Sequence, residues 1–420
     1  MDSIIGMQIH FIQELFDEGI EKALLFLRNE GKINSIFVAS QHDYLDSSGF
    51  DSLYHNKKRN KHVVNGYFFD HQLDKYDSTP IKPMKDVDLF LSSKDPFGDI
   101  QYYAKKLGFK FYAMILNRWP QSDLFPDCHM KSINGKIIPK VLCANNPKVM
   151  NLYKSIIKDL ATKYDLDGIF LALLDHYVQF GFIHLTDELA YSLGIKRFNS
   201  PEVGLACFCD YCTKKATSEG IDIEKIKKGL YRGIEMGIIP HHVENITSPD
   251  EVFNFLDKVP EFLQWMHFRS KSFTEIHKEL YKYIKKLNPS IQVALNTYGP
   301  ADSWKYAANF NDLVSQCDWV KPMFYSGTYP GLPKTPEQVK VEMSKAVKYA
   351  KDKPVVAGIN GIGSASNLEN IRKSFSSALS AGSKGLILSW DYALIPLEHI
   401  TYFGKLCEEV FYEKGKLGRM

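Results

Sequence analysis

The sequence predicts an α/β fold, a TIM (β/α)8 barrel with enlarged loops after strands 1-2 and 4. Two patterns carry that prediction. Short apolar runs alternate with longer amphipathic segments, and eight such runs can be counted. An absence supports it: the first run leads into Ala39-Ser40-Gln41-His42-Asp43, without the glycine-rich turn that an open, doubly wound nucleotide-binding sheet requires.

The strand candidates, in order, are Ile33 to Ser40, Val63 to Phe69, Phe109 to Asn117, Asp167 to Leu174, Ile291 to Tyr298, Trp319 to Tyr325, Pro354 to Asn360 and Gly385 to Asp391. The helices between them carry start signals. Ser248-Pro249-Asp250-Glu251, Thr335-Pro336-Glu337-Gln338 and Ser366-Asn367-Leu368-Glu369 each offer a hydroxyl at the N-cap and Glu or Gln three residues on, and Asn146-Pro147 opens another helix. From Phe262 to Leu287, the residues Trp265, Phe268, Ile276, Leu280 and Ile284 recur near helical spacing until Asn288-Pro289 stops the pattern. Those aromatics read as core.

Eight strand-helix units need about 250 residues. The chain has 420, so loops absorb the surplus, which lies at residues 41–93 and 175–250. Both stretches emerge at the C-terminal mouth, where barrel enzymes place their chemistry. One barrel domain is expected over residues 5–415, with an insertion at 176–250 that carries a cysteine turn.

Composition narrows the function. With 52 basic and 49 acidic residues, the net charge of +3 leaves no electrostatic footprint for nucleic acid or an anionic membrane. No run reaches transmembrane length. Seven cysteines, an odd number, argue against a disulfide framework and for a reducing, cytoplasmic setting. No organic cofactor is expected, and the sequence does not set an oligomeric state.

Three of those cysteines crowd into Cys207-Phe208-Cys209-Asp210-Tyr211-Cys212. A C-x-C-x-x-C turn suits thiolates converging on a soft cation, and structural zinc is the expected occupant. The competing reading is a set of reduced, semi-buried thiols. A fourth ligand has to come from elsewhere. Cys143, just before a helix start, is preferred to Cys128.

Taken in order, Asn145-Asn146-Pro147, Tyr164-Asp165-Leu166-Asp167-Gly168-Ile169, the cysteine turn and Gly385-Leu386-Ile387-Leu388-Ser389-Trp390-Asp391-Tyr392 resemble an uncharacterised glycoside-hydrolase-like TIM-barrel family. Gly66-Tyr67-Phe68-Phe69 fits the same group. The cysteine turn is also similar to the zinc cluster of family 42 β-galactosidases, where it is structural. The resemblance implies a carbohydrate or glycoconjugate substrate and carboxylate acid/base catalysis. One departure stands out. Retaining relatives carry glutamates near the ends of the fourth and seventh strands, whereas here those strands end Leu171-Ala172-Leu173-Leu174 and Gly358-Ile359-Asn360-Gly361.

Polar residues at the strand ends supply the candidate site. Asp391 and Asp175 are the expected catalytic pair, with Asp43 in reserve, because two carboxylates in different environments can divide acid and base roles. His42, Asn117, Arg118, His176, Asn296, Tyr298, Lys321, Tyr325, Asn360 and Trp390 are the expected substrate contacts. An aspartate at a strand end also serves as a helix N-cap, which is the competing reading for Asp391 and Asp175. Asp167 lies at a strand start and is left to stability. Lys321, in the sixth strand and sharing side-chain parity with Tyr325, opens a second class of enzyme. A desolvated lysine forms Schiff bases with carbonyl substrates, as the sixth-strand lysine of class I aldolases does; the alternative is a lysine paired with a strand carboxylate. A barrel that binds a glycan without cleaving it is the third reading.

Overall fold

The computed structural model describes residues 3–44, 64–83, 93–117, 124–172, 205–236, 249–301, 303, 307–326, 335–362, 366–389 and 391–413. Among them the strands are β1 (Ile4–Ile9), β2 (Ser35–Ala39), β3 (Gln41–Tyr44), β4 (Val64–Tyr67), β5 (Lys110–Leu116), β6 (His129–Lys131), β7 (Ile137–Leu142), β8 (Gly168–Ala172), β9 (Gln292–Thr297), β10 (Trp319–Pro322), β11 (Ala357–Asn360) and β12 (Gly385–Ser389). The helices used below are α1 (Gln13–Glu18), α2 (Ile20–Asn29), α3 (Pro96–Lys106), α4 (Pro147–Lys163), α5 (Asp210–Ser218), α6 (Ile223–Glu235), α7 (Pro249–Lys258), α8 (Pro260–Leu287), α9 (Phe310–Val314), α10 (Pro336–Ala350), α11 (Leu368–Ser380) and α12 (Leu397–Cys407).

Eight parallel strands form the barrel in the order β10-β9-β8-β5-β2-β1-β12-β11. The ends of that order meet through a single bridge, Val320 to Val355, where Val356 N donates to Val320 O at 2.9 Å. Strands covered on both faces read as near-continuous apolar runs. Ile4-Ile5-Gly6-Met7-Gln8-Ile9 is such a run, and every residue of it is buried.

Two elements correct the sequence reading. Barrel strand one is β1, which precedes all the strand candidates. The Val63 to Phe69 candidate is not a barrel strand: its core, β4, pairs antiparallel with β3 as a ribbon beside the mouth. The first enlarged loop therefore follows the second barrel strand. A further enlargement follows the third, where β6 and β7 make a second antiparallel ribbon. From the third strand onward the expected order holds.

The interior is filled from the bottom. Phe37, Tyr112, Phe170 and Trp319 come from β2, β5, β8 and β10 and pack against one another, with Phe37 stacked on Tyr112 at 4.7 Å and Phe170 on Trp319 at 6.0 Å. Gly168 admits this cluster, since a Cβ there would stand 2.4 Å from the Tyr112 ring.

A recurring clasp closes the same end. A polar side chain just before each even-numbered barrel strand accepts the first free N–H of the preceding odd one. Asn34 Oδ1 takes Ile5 N at 3.0 Å, Asp167 Oδ2 takes Phe111 N at 2.7 Å, Asp318 Oδ2 takes Val293 N at 2.7 Å, and Ser383 Oγ takes Ala357 N at 3.0 Å. Unpaired strand-end donors are costly when buried, so each clasp has an evident purpose. Asp167 thus serves stability, in keeping with its position at a strand start.

The 28-residue helix α8 serves two cores. Its second half, Phe273 to Ile284, covers the barrel. Its first half, through Phe262, Trp265, Met266 and Phe268, packs on Leu205, Phe208, Ile226 and Leu230 of the insertion after the fourth strand. Helix starts follow the caps: Thr335 and Gln338 form a reciprocal capping box, and Asn146 accepts from Lys148 N at 3.0 Å. At α11 the cap is Asn367, not Ser366, and it accepts from Asn370 N at 2.9 Å.

Candidate functional site

The upper half of the barrel interior is polar. Lys321 on β10 lies in register with Asn296 on β9, and its amine donates to Asn296 Oδ1 at 3.2 Å. The Tyr325 hydroxyl stands 2.6 Å from the same nitrogen. The parity argument thus finds its contact. Lys321 is fully buried, and burial lowers its pKa to about 7. No carboxylate among the described residues pairs with it. Burial raises the Tyr325 phenol, which is also hydrogen-bonded to Ser389. Ser389 Oγ in turn donates to Gln8 Oε1 at 3.0 Å, and Gln8 Nε2 lies 3.5 Å from His10 Nε2. A line of polar side chains therefore crosses the barrel beneath its mouth from β10 to the end of β1.

Asp391 is also buried. Its Oδ1 accepts from His10 N at 3.2 Å and from Ala393 N at 3.4 Å, tying the end of the eighth barrel strand to the end of the first while capping the turn Tyr392–Leu394. Asn360 spans the end of β11, donating to Ser326 O at 3.0 Å and accepting from Ile362 N at 3.2 Å. Asn117 and Tyr298 are buried at the ends of the third and fifth barrel strands. His42 and Asp43 lie on β3, opposite Gly66 and Asn65. Arg118, Asp175, His176 and Trp390 lie outside the described residues.

The structure adds residues that the sequence reading passed over. Gln8, His10 and the fully buried carboxylate Glu14 all follow from β1. The signal was present in the apolar run Ile4 to Ile9, since a barrel strand brings its polar end to the mouth.

A second site lies in the loops. Cys143, Cys207, Cys209 and Cys212 are buried with their sulfurs all within 4.8 Å of one another. Cys143 Sγ and Cys212 Sγ are 3.4 Å apart. Sulfurs about 2.3 Å from a tetrahedral zinc would be separated by roughly 3.8 Å, so the set fits that ion. Donors point at the sulfurs: Lys131 N and Cys209 N each reach Cys207 Sγ at 3.4 Å, and Asn145 Nδ2 reaches Cys212 Sγ at 3.2 Å. Hydrogen bonds from Cys143, Cys207 and Cys212 pull Cys209 well below the ordinary thiol range, while the same crowding pushes Cys143 up. The fourth member is Cys143. Cys128 stands apart, accepting from Asn146 Nδ2 at 3.6 Å. The four cysteines join the loop after the third barrel strand to the insertion after the fourth.

The architecture has counterparts among solved structures. The glycoside hydrolase domain of PgaB (BpsB) from Bordetella bronchiseptica matches over 94% of this chain and 95% of its own, with a TM-score of 0.56 and 14% identity. The cold-adapted β-galactosidase from Rahnella sp. R3 gives 0.58 at 10% identity, over 98% of this chain and 56% of that one. The β-galactosidase from Halorubrum lacusprofundi gives 0.54 at 12% identity, over 96% and 58%. The chain thus spans under two thirds of the length of these galactosidases. At such identities the likeness concerns the fold: this chain has a TIM barrel of the kind found in glycoside hydrolases. No protein-family model and no curated protein matches the sequence. Among the described residues no helix is long and apolar enough to cross a membrane.

Proposed function

We propose that this barrel hydrolyses a glycosidic bond in a carbohydrate or glycoconjugate at its C-terminal mouth. The observation that carries the reading is the division of the interior: aromatic packing fills the bottom, while Gln8, Asn296, Lys321, Tyr325, Asn360 and Ser389 make the upper part polar and rich in amide and hydroxyl groups. Amide and hydroxyl groups are the donors and acceptors that pair with a sugar's hydroxyls. The solved neighbours described as glycoside hydrolase and β-galactosidases support the same substrate class.

Cleavage requires two carboxyl groups. Asp391 is assigned as the fixed carboxylate, because two backbone N–H groups orient it. Asp175 is assigned as its partner, with Asp43 in reserve. His42 and His176 are proton carriers in waiting, and Asn117, Arg118, Asn296, Tyr298, Asn360 and Trp390 are assigned to the sugar's hydroxyls and ring face. A carboxyl separation of about 5 Å predicts retention of configuration, and one of about 6.5 to 9.5 Å inversion.

The cysteine cluster is proposed to hold one structural zinc, with all four sulfurs as ligands and no open position for chemistry. When bound, the ion would join the two loops that flank the mouth on the third- and fourth-strand side. The odd cysteine count supports a cytoplasmic setting.

Chromophore release from a panel of aryl glycosides by wild type and Asp391→Asn, assayed side by side, tests the reading. Turnover in the first and its loss in the second is the expected result. Glycan binding without turnover by the wild type would point instead to a non-catalytic barrel.

A further inference from the structure

Lys321 is the only lysine among the described residues that is fully buried. Its two partners, the Asn296 amide oxygen at 3.2 Å and the Tyr325 hydroxyl at 2.6 Å, are both uncharged at neutral pH. An ammonium held without a counter-ion is costly in such a place, whereas a neutral amine suits it, with N–H groups directed at the Asn296 amide oxygen and the Tyr325 hydroxyl. Burial shifts its proton equilibrium the same way, to about 7.

The local packing is close. Gly358 faces the lysine from β11, and a Cβ there would stand 3.0 Å from Lys321 Cε and 3.1 Å from Nζ. A side chain there would collide with the lysine and with the Tyr325 ring, so glycine is what lets the two pack together. Asn296 and Tyr325 are 7% and 6% exposed.

We propose that Lys321 is a nucleophilic amine that condenses with a short polyhydroxy aldehyde, such as the open-chain form of an aldose, with Tyr325 carrying the proton. The Nζ lone pair attacks the carbonyl carbon, and the carbonyl oxygen takes the phenolic proton of Tyr325. The nitrogen returns one proton to the phenolate, giving a neutral carbinolamine. Tyr325 then protonates the departing hydroxyl, the C–O bond breaks, water leaves and C=N forms, and the last proton on the nitrogen returns to the Tyr325 phenolate. Aldehyde and amine become imine and water, with no oxidant or reductant. Ser389, hydrogen-bonded to Tyr325, holds the phenol in place throughout. This activity is independent of glycosidic cleavage, and either one can fail alone.

The test is reductive trapping. Native protein is incubated at pH 7 with glyceraldehyde and cyanoborohydride, then peptide-mapped. At that pH roughly half of Lys321 is neutral, against roughly one in two to three thousand of an ordinary exposed lysine. Lys321 should therefore label at least about a hundredfold faster than surface lysines. Tyr325→Phe should slow that labelling about tenfold or more while leaving surface labelling unchanged. Adducts on surface lysines with Lys321 unmodified, or no adduct at all, would overturn the proposal, as would full-rate labelling in Tyr325→Phe.

Discussion

Replacing Lys321 by methionine should make the protein more stable at neutral pH, and the size of the gain should change with pH in a defined way. In the unfolded chain the amine keeps its proton up to about 10.5, whereas in the fold burial brings that value to about 7. Between those values the unfolded state binds more protons than the native state, so wild-type stability rises with pH across the window by at most about 1.4 kcal/mol per unit. At and below pH 7 the lysine costs the fold the whole difference, about 5 kcal/mol at this order of magnitude. Methionine has similar bulk and no charge, but it leaves Asn296 and Tyr325 each short of one hydrogen bond, a loss of about 1 to 3 kcal/mol. The net gain at pH 6 to 7 is then about 2 to 4 kcal/mol, shrinking as the pH rises toward 10. Urea unfolding of both proteins at pH 6, 7, 8 and 9, followed by tryptophan fluorescence, measures it. Contributions from buried tyrosines and cysteines cancel in the difference between the two proteins. A difference that stays constant from pH 7 to 9 would show that the buried amine keeps its proton and refute the reasoning.

Other perturbations give equally direct readouts. Asp391→Asn keeps the Oδ1 acceptor for His10 N and Ala393 N, so it should fold with a loss of under about 1 kcal/mol, while Asp391→Ala should lose about 1 to 3 kcal/mol in chemical denaturation. If Asp391 takes part in turnover, the asparagine variant should lose about a hundredfold or more in kcat despite that intact fold. Purified protein should carry about one zinc per chain by elemental analysis, and Cys209→Ser or chelation should lower Tm. Metal-free protein of unchanged Tm would remove the zinc assignment. Gly168→Ala forces a methyl group to within 2.4 Å of the Tyr112 ring and should cost about 1 to 3 kcal/mol in the same denaturation assay.

Much of this was legible in the sequence, for reasons that can be named. The long helices announce themselves through period and caps, and seven of the eight barrel strands lie within the apolar runs counted in the sequence. Val63 to Phe69 has the same local pattern as a barrel strand, but a run of apolar residues does not say which strand it will pair with. β4 meets β3 only because the chain doubles back beside the mouth. Ile4 to Ile9 precedes the first strand candidate that the sequence reading counts, and losing it also hid Gln8, His10 and Glu14. The cysteine turn was legible because three thiols at that spacing have few other uses, and Cys143 was legible as their partner from its place just before a helix start. The contact between Lys321 and Tyr325 followed from strand parity, whereas the absence of a carboxylate partner among the described residues could come only from three dimensions.

The clasps formed by Asn34, Asp167, Asp318 and Ser383 have a meaning for how such a barrel can be divided. Each fastens an odd strand to the even one after it, and among the described residues the backbone pairing of the sixth strand with the seventh is a single bridge. By their side-chain clasps the strands thus fall into four pairs, while backbone ladders also join β2 to β5, β8 to β9 and β12 to β1. A chain cut after the fourth strand would leave every clasp whole in one piece or the other, and the halves should reassemble when mixed. A cut after the third would part Phe111 from Asp167, and those pieces should recombine poorly.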